Sequence, residues 1–151
     1  DLGQRQQLLL AVEAAQLRKD ESVPRGSATE LVLLVEDDAS VREVHTKLLE
    51  ELGYPVVAVD GPVAALKLID ERPDVKLLFT DIVMAPMNGR KLADEIWSKR
   101  PGLPVVFTTG YSRNAVIHNG VLDEGVIFLQ KPAALGDLAR KVRMALDHRP
   151  R

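Results

Sequence analysis

Short apolar runs alternate with helical stretches along most of the chain. Five runs rich in Val and Leu are each followed by a longer stretch whose apolar residues have helical spacing. The pattern therefore predicts five consecutive βα units. The predicted strands are Leu31–Val35, Val56–Val59, Leu77–Phe79, Val105–Phe107 and Val126–Leu129, and the predicted helices cover residues 39–52, 62–71, 89–99, 113–121 and 134–147.

The uniform apolar character of these strands predicts the fold class, which is α/β. Strands that lack polar alternation are typical of a parallel sheet covered on both faces by helices. Right-handed crossovers then produce an open, doubly wound sheet. The pattern alone leaves the strand order open. We expect the flavodoxin-like order 2-1-3-4-5, in which a ligand would bind outside the carboxyl ends of the first and third strands.

Residues 1–21 are predicted to form an additional amphipathic helix before the sheet, because they are rich in strong helix formers. Residues 22–29 contain Pro24 and Gly26, which interrupt the helical pattern and predict a linker. The main domain is then expected to cover residues 30–148.

The N-terminal helix has an apolar stripe formed by Leu9, Leu10, Ala14 and Leu17. Leu10 and Leu17 are one heptad apart, a spacing that permits a short coiled-coil seam. An isolated helix of this length is only marginally stable in water, so another protein surface must pack against the apolar stripe. We therefore expect the helix to support a homodimer, with docking on its own domain as the alternative.

Composition excludes several classes of function. The 151 residues carry a net charge of -2, so there is no basic excess to suggest a surface for nucleic acid or anionic membrane, and we expect neither as a partner. Cysteine is absent, so disulfides and thiolate metal sites are excluded. No apolar run approaches the roughly 18 residues of a membrane span. We expect a soluble, cytoplasmic protein.

Polar residues at strand ends suggest a chemical site. Glu36 and Asp37 follow the first apolar run, Asp81 follows the third, and Lys131 follows the fifth. Converging carboxylates repel one another and are typical of a bound cation, and hard oxygen ligands favour Mg²⁺. A carboxylate oxygen can also attack phosphorus. Lys131 and the hydroxyl of Thr109, at the end of the fourth strand, would then neutralise the transferred group.

From Glu30 to about Asp147 the chain resembles the receiver domain of two-component response regulators. The resemblance implies that Glu36 and Asp37 are the acidic pair, with Asp37 a direct Mg²⁺ ligand, and that Asp81 is the phosphoacceptor. The main-chain carbonyl of Val83 would be a further ligand. It also implies that the donor is a histidine kinase or phosphotransfer protein.

The same resemblance assigns the switch residues. Thr109 would be the switch hydroxyl, Phe128 the switch aromatic and Lys131 the invariant lysine, followed by a cis bond to Pro132. The chain departs from the family pattern at Ala133, where a large apolar residue is common, and at Pro86, which comes one place later than usual.

The resemblance leaves the output open. Residues 110–120 resemble the receivers at the C-terminal ends of hybrid histidine kinases, and a stand-alone phosphate shuttle fits equally. Neither kind of protein would be an enzyme, apart from catalysing its own phosphorylation and its own slow dephosphorylation. The alternatives are a phosphatase-type hydrolase, which usually has a second Asp where this chain has Val83, and a receiver-like module that only binds protein.

Some polar residues have simpler explanations. Asp38 and Asn88 precede predicted helices and are expected to be N-caps rather than ligands. The scattered histidines His45, His118 and His148 are each expected to be exposed helix residues.

Overall fold

The structure of the chain, a computed structural model, describes residues 3–7, 23–110, 127–131 and 133–148. A five-stranded parallel sheet in the order β2-β1-β3-β4-β5 forms its centre, which confirms the predicted doubly wound fold and strand order. The strands are β1 Leu31–Val35, β2 Val56–Val59, β3 Val75–Asp81, β4 Val105–Thr109 and β5 Ile127–Gln130. The helices around the sheet are α1 Ala39–Glu51, α2 Pro62–Glu71, α3 Gly89–Lys99 and α4 Leu135–Asp147.

Successive residues of each central strand point to opposite faces of the sheet. On one face Leu34 and Phe79 pack with Leu138 of α4. On the other face Leu33 packs with Ile96 of α3. Each fully buried side chain of this kind stabilises the fold by about 1.5–3 kcal/mol, which explains why all five residues of β1 are apolar and buried.

Two strands are longer than their apolar runs. β3 continues through Thr80 and Asp81, and β4 continues through Thr109. Thr80 pairs with Val35 of β1, and Asp81 pairs with Thr108 of β4. Because backbone pairing is indifferent to side-chain polarity, the sheet carries these polar residues to its carboxyl edge.

Several predictions fall outside the described residues. They include the helix over residues 113–121, Pro132 with its cis bond, and the stripe formed by Leu9, Leu10, Ala14 and Leu17. Residues 3–7 are helical and exposed. Within the described ranges, no helix has both the length and the apolar character needed to cross a membrane.

Candidate functional site

Three carboxylates converge at the carboxyl edge of the sheet. Glu36 follows β1 and is 1% exposed, Asp81 ends β3 and is 2% exposed, and Asp37 lies beside them on the surface. One oxygen from each lies within 4.8 Å of the other two. The adjacent positions of β1 and β3 in the sheet account for this convergence of residues that are distant in sequence.

Lys131 joins the two buried carboxylates. Its Nζ donates to Asp81 Oδ2 at 2.8 Å and to Glu36 Oε1 at 3.0 Å. Its backbone N–H donates to the carbonyl oxygen of Thr109 at 3.0 Å, which ties the lysine to the end of β4. The site therefore has one ammonium group among three carboxylates.

Burial and charge shift the pKa values of this group. Burial raises the pKa of Glu36 to about 7; the hydrogen bond from Lys131 opposes that shift, and the negative charge of Asp81 adds to it. Burial also lowers the pKa of Lys131, but its hydrogen bonds and charge interactions with Asp81 and Glu36 outweigh burial and raise that pKa. Lys131 is thus held in its charged form.

The site has the properties of a cation site for a hard metal. Glu36 Oε2 is buried and has no hydrogen-bond partner within the part of the chain that the structure describes. A buried carboxylate oxygen without a partner is costly, and a bound cation would remove that cost. Since the three side chains offer only carboxylate oxygens, the donor set fits Mg²⁺.

The neighbouring carboxylate of Asp38 is the N-cap of a helix and does not belong to the acidic cluster. Its Oδ1 accepts hydrogen bonds from the backbone N–H groups of Ser40 and Val41 at 2.9 and 3.2 Å, which caps α1. Asn88 caps α3 in the same way by accepting from Lys91 N–H at 2.8 Å. Both N-cap predictions are confirmed, and the cap leaves Asp37 as the surface carboxylate of the cluster.

Thr109 and Val83 lie around the same edge, and Phe128 lies within β5 beside Phe107. Thr109 is the last residue of β4 and is 4% exposed. The ring of Phe128 lies 5.7 Å from that of Phe107 and packs against the core on the α2 and α3 side. Val83 is half exposed, and its N–H donates to Asp81 Oδ1 at 3.3 Å.

Gly89 lets the start of α3 approach the acidic cluster closely. Its N–H donates to the Ile82 carbonyl oxygen at 2.7 Å. A Cβ on this residue would overlap the backbone oxygen of Asp81, which cannot move without shifting β3. Glycine is therefore required here by the close packing of two backbone segments.

Gly89→Ala is expected to destabilise the protein by about 1–3 kcal/mol or more, because overpacking against backbone is hard to relieve. Urea denaturation measures the change. Gly61→Ala is the matched control, since Gly61 also stands at a helix start and nothing lies within 4 Å of its added Cβ. Equal losses in the two variants would contradict the packing argument.

The prediction that His45 is exposed is wrong. His45 lies in α1 and is 0% exposed, with its ring edge-to-face on Phe79 at 5.4 Å. Burial lowers the pKa of His45 and favours the neutral imidazole. Its spacing of four residues from Leu49, another buried α1 residue, is the signal that could have placed it in the core.

Arg42 also lies near the site, and the sequence did not single it out. Its Nη1 donates to the backbone oxygen of Glu36 at 2.9 Å. The Arg42 side chain on α1 thus fixes the backbone of Glu36, the first residue of the acidic pair. A helical arginine gives no sequence signal for such a contact.

Comparisons with known proteins agree on one family. The family model for the response regulator receiver domain matches residues 32–143. Sensor kinase CckA of Brucella abortus is 33% identical over 135 residues, which are 89% of this chain and 14% of that protein's length. Response regulator receiver protein CpdR of the same organism is 35% identical over 115 residues, which are 76% of this chain and 95% of CpdR.

Solved structures show the same similarity. The receiver domain of hybrid histidine kinase CckA superposes with a TM-score of 0.64 at 31% identity, covering 77% of this chain and 98% of that one. The chemotaxis protein CheY4 of Vibrio cholerae superposes with a TM-score of 0.70 at 21% identity, covering 79% of this chain and all of that one, and this match concerns the fold alone.

Proposed function

Because this chain belongs to the response regulator receiver domain family, we propose that it accepts a phosphoryl group on Asp81 from a phosphohistidine of a histidine kinase or phosphotransfer protein. The observation that carries the proposal is the partly buried contact of Lys131 with both Asp81 and Glu36, beside a carboxylate oxygen of Glu36 that has no partner among the described residues. Such transfer would take place in the cytoplasm.

In the proposed reaction a carboxylate oxygen of Asp81 attacks phosphorus. The new bond is O–P, the donor's P–N bond breaks, and the imidazole of the donor leaves with that electron pair. Asp81 must be ionised to act as the nucleophile. The ammonium of Lys131, 2.8 Å from Oδ2, would remain beside the oxygens of the transferred group.

The carboxylates of Glu36, Asp37 and Asp81, with the main-chain carbonyl of Val83, would hold Mg²⁺. When bound, Mg²⁺ supplies the positive charge that offsets both the carboxylates and the incoming phosphoryl oxygens. Phosphoryl transfer relies mainly on such positioning and neutralisation, so the protein requires little further covalent chemistry.

A switch in partner surface follows from the same positions. Phosphorylation adds about one to two negative charges and three acceptor oxygens beside Lys131 and Thr109. The Thr109 hydroxyl would turn toward those oxygens, and Phe128 would fill the space that it leaves. The backbone bond between Lys131 N–H and the Thr109 carbonyl supports coupled movement of β4 and β5.

Two observations argue against the alternative functions, a phosphatase-type hydrolase and a module that only binds protein. A phosphatase-type hydrolase would use an acidic group two residues after the nucleophile, and this chain has Val83 there. A module that only binds protein has no use for an acidic cluster in which burial, together with the charge of Asp81, raises the pKa of Glu36.

The direct test is incubation of the chain with a small phosphodonor and Mg²⁺. We expect one acid-labile, hydroxylamine-sensitive phosphoryl group per chain, detected by intact mass. Chelation of the metal with EDTA should stop its formation. Failure to label at any Mg²⁺ concentration would reject the proposal, while continuous turnover of the phosphodonor without accumulation would favour the hydrolase.

Mg²⁺ affinity is expected to increase with pH through the neutral range. Below about pH 7 the raised pKa of Glu36 leaves much of its carboxyl protonated, and metal binding must displace that proton. Titration calorimetry should therefore show an increase of about tenfold in apparent affinity from about pH 6 to pH 8, with a plateau above. Glu36→Gln should bind more weakly and lose this slope; an unchanged slope would assign it to another group.

A further inference from the structure

Residues 23–30, which we call the strap, precede β1 and lie against the folded domain. Val23 is buried, and the N–H of Gly26 donates to the carbonyl oxygen of Leu52 at 2.8 Å. Gly26 lies on the ring of Tyr54, where an added Cβ would overlap the ring atoms. The strap is thus bonded to the turn between α1 and β2.

Arg143 of α4 holds the strap from the other side. Its guanidinium donates to the two carboxylate oxygens of Glu30 at 3.0 and 2.8 Å and to the backbone oxygen of Arg25 at 3.2 Å. The same group donates to Asp147 at 2.8 Å and contacts the Tyr54 hydroxyl at 3.4 Å. Hydrogen bonds to Glu30 and Asp147 raise the pKa of Arg143, so it stays charged.

The Arg143–Glu30 ion pair differs from the ion pair that Arg140, the other arginine of α4, forms with Asp137. The side chains of Arg143 and Glu30 are 24% and 19% exposed, whereas those of Arg140 and Asp137 are 60% and 61% exposed. Partly buried, bidentate arginine–carboxylate pairs are stronger than exposed ones. Arg143 therefore holds the strap against α4, and we call the Arg143–Glu30 pair the latch. The exposed pair of Arg140 provides a comparison on the same helix.

The same helix also binds the strand that carries the proposed switch aromatic. Lys141 Nζ donates to the backbone oxygen of Phe128 at 2.6 Å. Lys141 and Arg143, two residues apart on α4, thus connect β5 to the strap. Hydrogen bonds from one helix therefore reach both β5 and the chain that precedes β1.

The strap is remote from the acidic cluster. It enters β1 at Leu31, whereas Glu36 follows the other end of that strand. Five strand residues span roughly 16 Å at about 3.3 Å each. The docked strap therefore does not cover the acidic cluster.

We propose that the strap is a signalling connection: α4 holds it through Arg143 in the unphosphorylated state, and a shift of β5 upon phosphorylation loosens it. The strap itself would then become more accessible to solvent. The inference that the strap is latched is independent of the phosphorylation chemistry, while its loosening rests on the proposed function.

Trypsin cleavage at the Arg25–Gly26 bond tests the latch. We expect Arg143→Met to be cleaved there about tenfold faster than wild type, because it loses two charge-assisted hydrogen bonds to Glu30. Arg140→Met, which removes a cation from the same helix, should remain within about twofold of wild type. Mass spectrometry of the fragment starting at Gly26 gives the rates. Equal rates in Arg143→Met and wild type would overturn the latch.

Hydrogen–deuterium exchange tests whether β5 and the strap are coupled through α4. With beryllofluoride and Mg²⁺ as the phosphoryl mimic, uptake in the strap should rise in wild type, and the rise should be absent in Lys141→Met. A change around Asp81 without any change in the strap would overturn the connection and leave the phosphorylation proposal intact. No change at either place would overturn both.

Discussion

Asp81→Asn is expected to abolish phosphorylation of the chain while leaving it folded. Asparagine has the same shape but is a poor nucleophile, so the bond to phosphorus cannot form. The variant also removes one charge from three crowded carboxylates, and Lys131 keeps its 3.0 Å contact with Glu36. Folding should therefore be unaffected or slightly stabilised.

Intact mass after incubation with a phosphodonor and Mg²⁺ measures this result, and circular dichroism verifies the fold. Asp60→Asn is a suitable control because Asp60 also follows a strand at the carboxyl edge but lies outside the acidic cluster. It should label like wild type. Stoichiometric labelling of Asp81→Asn would show that another residue is the acceptor.

The second large effect concerns two adjacent aspartates with different surroundings. Asp37→Ala removes a carboxylate of the cluster, so we expect apparent Mg²⁺ affinity and Mg²⁺-dependent phosphorylation to fall by at least about tenfold. Asp38→Ala removes the α1 cap instead. It should cost about 0.5–2 kcal/mol of stability and leave phosphorylation nearly unchanged.

Two measurements on each variant separate these effects. The initial phosphorylation rate as a function of Mg²⁺ concentration gives the functional change, and urea denaturation gives the change in stability. The expected pattern is a functional loss without instability for Asp37→Ala and the reverse for Asp38→Ala. The opposite ranking would place the metal ligand at Asp38.

The sequence alone determined the secondary structure and the class of fold. Apolar runs and helical spacing are local properties, and they located all five strands and the four helices of the described domain to within a few residues. The caps at Asp38 and Asn88 were equally predictable, because a cap bonds only to backbone two or three residues away. The positions of Glu36, Asp81 and Lys131 followed from the strand ends.

Tertiary structure decided what depends on pairing between distant segments. Strand order brought β1 beside β3, and Lys131 meets Glu36 across 95 residues. Burial of His45 depended on packing against Phe79, and the latch joins Arg143 to Glu30 across 113 residues. Local propensity carries no information on such contacts, because their free energy depends on burial and geometry that exist only once the sheet and helices have assembled.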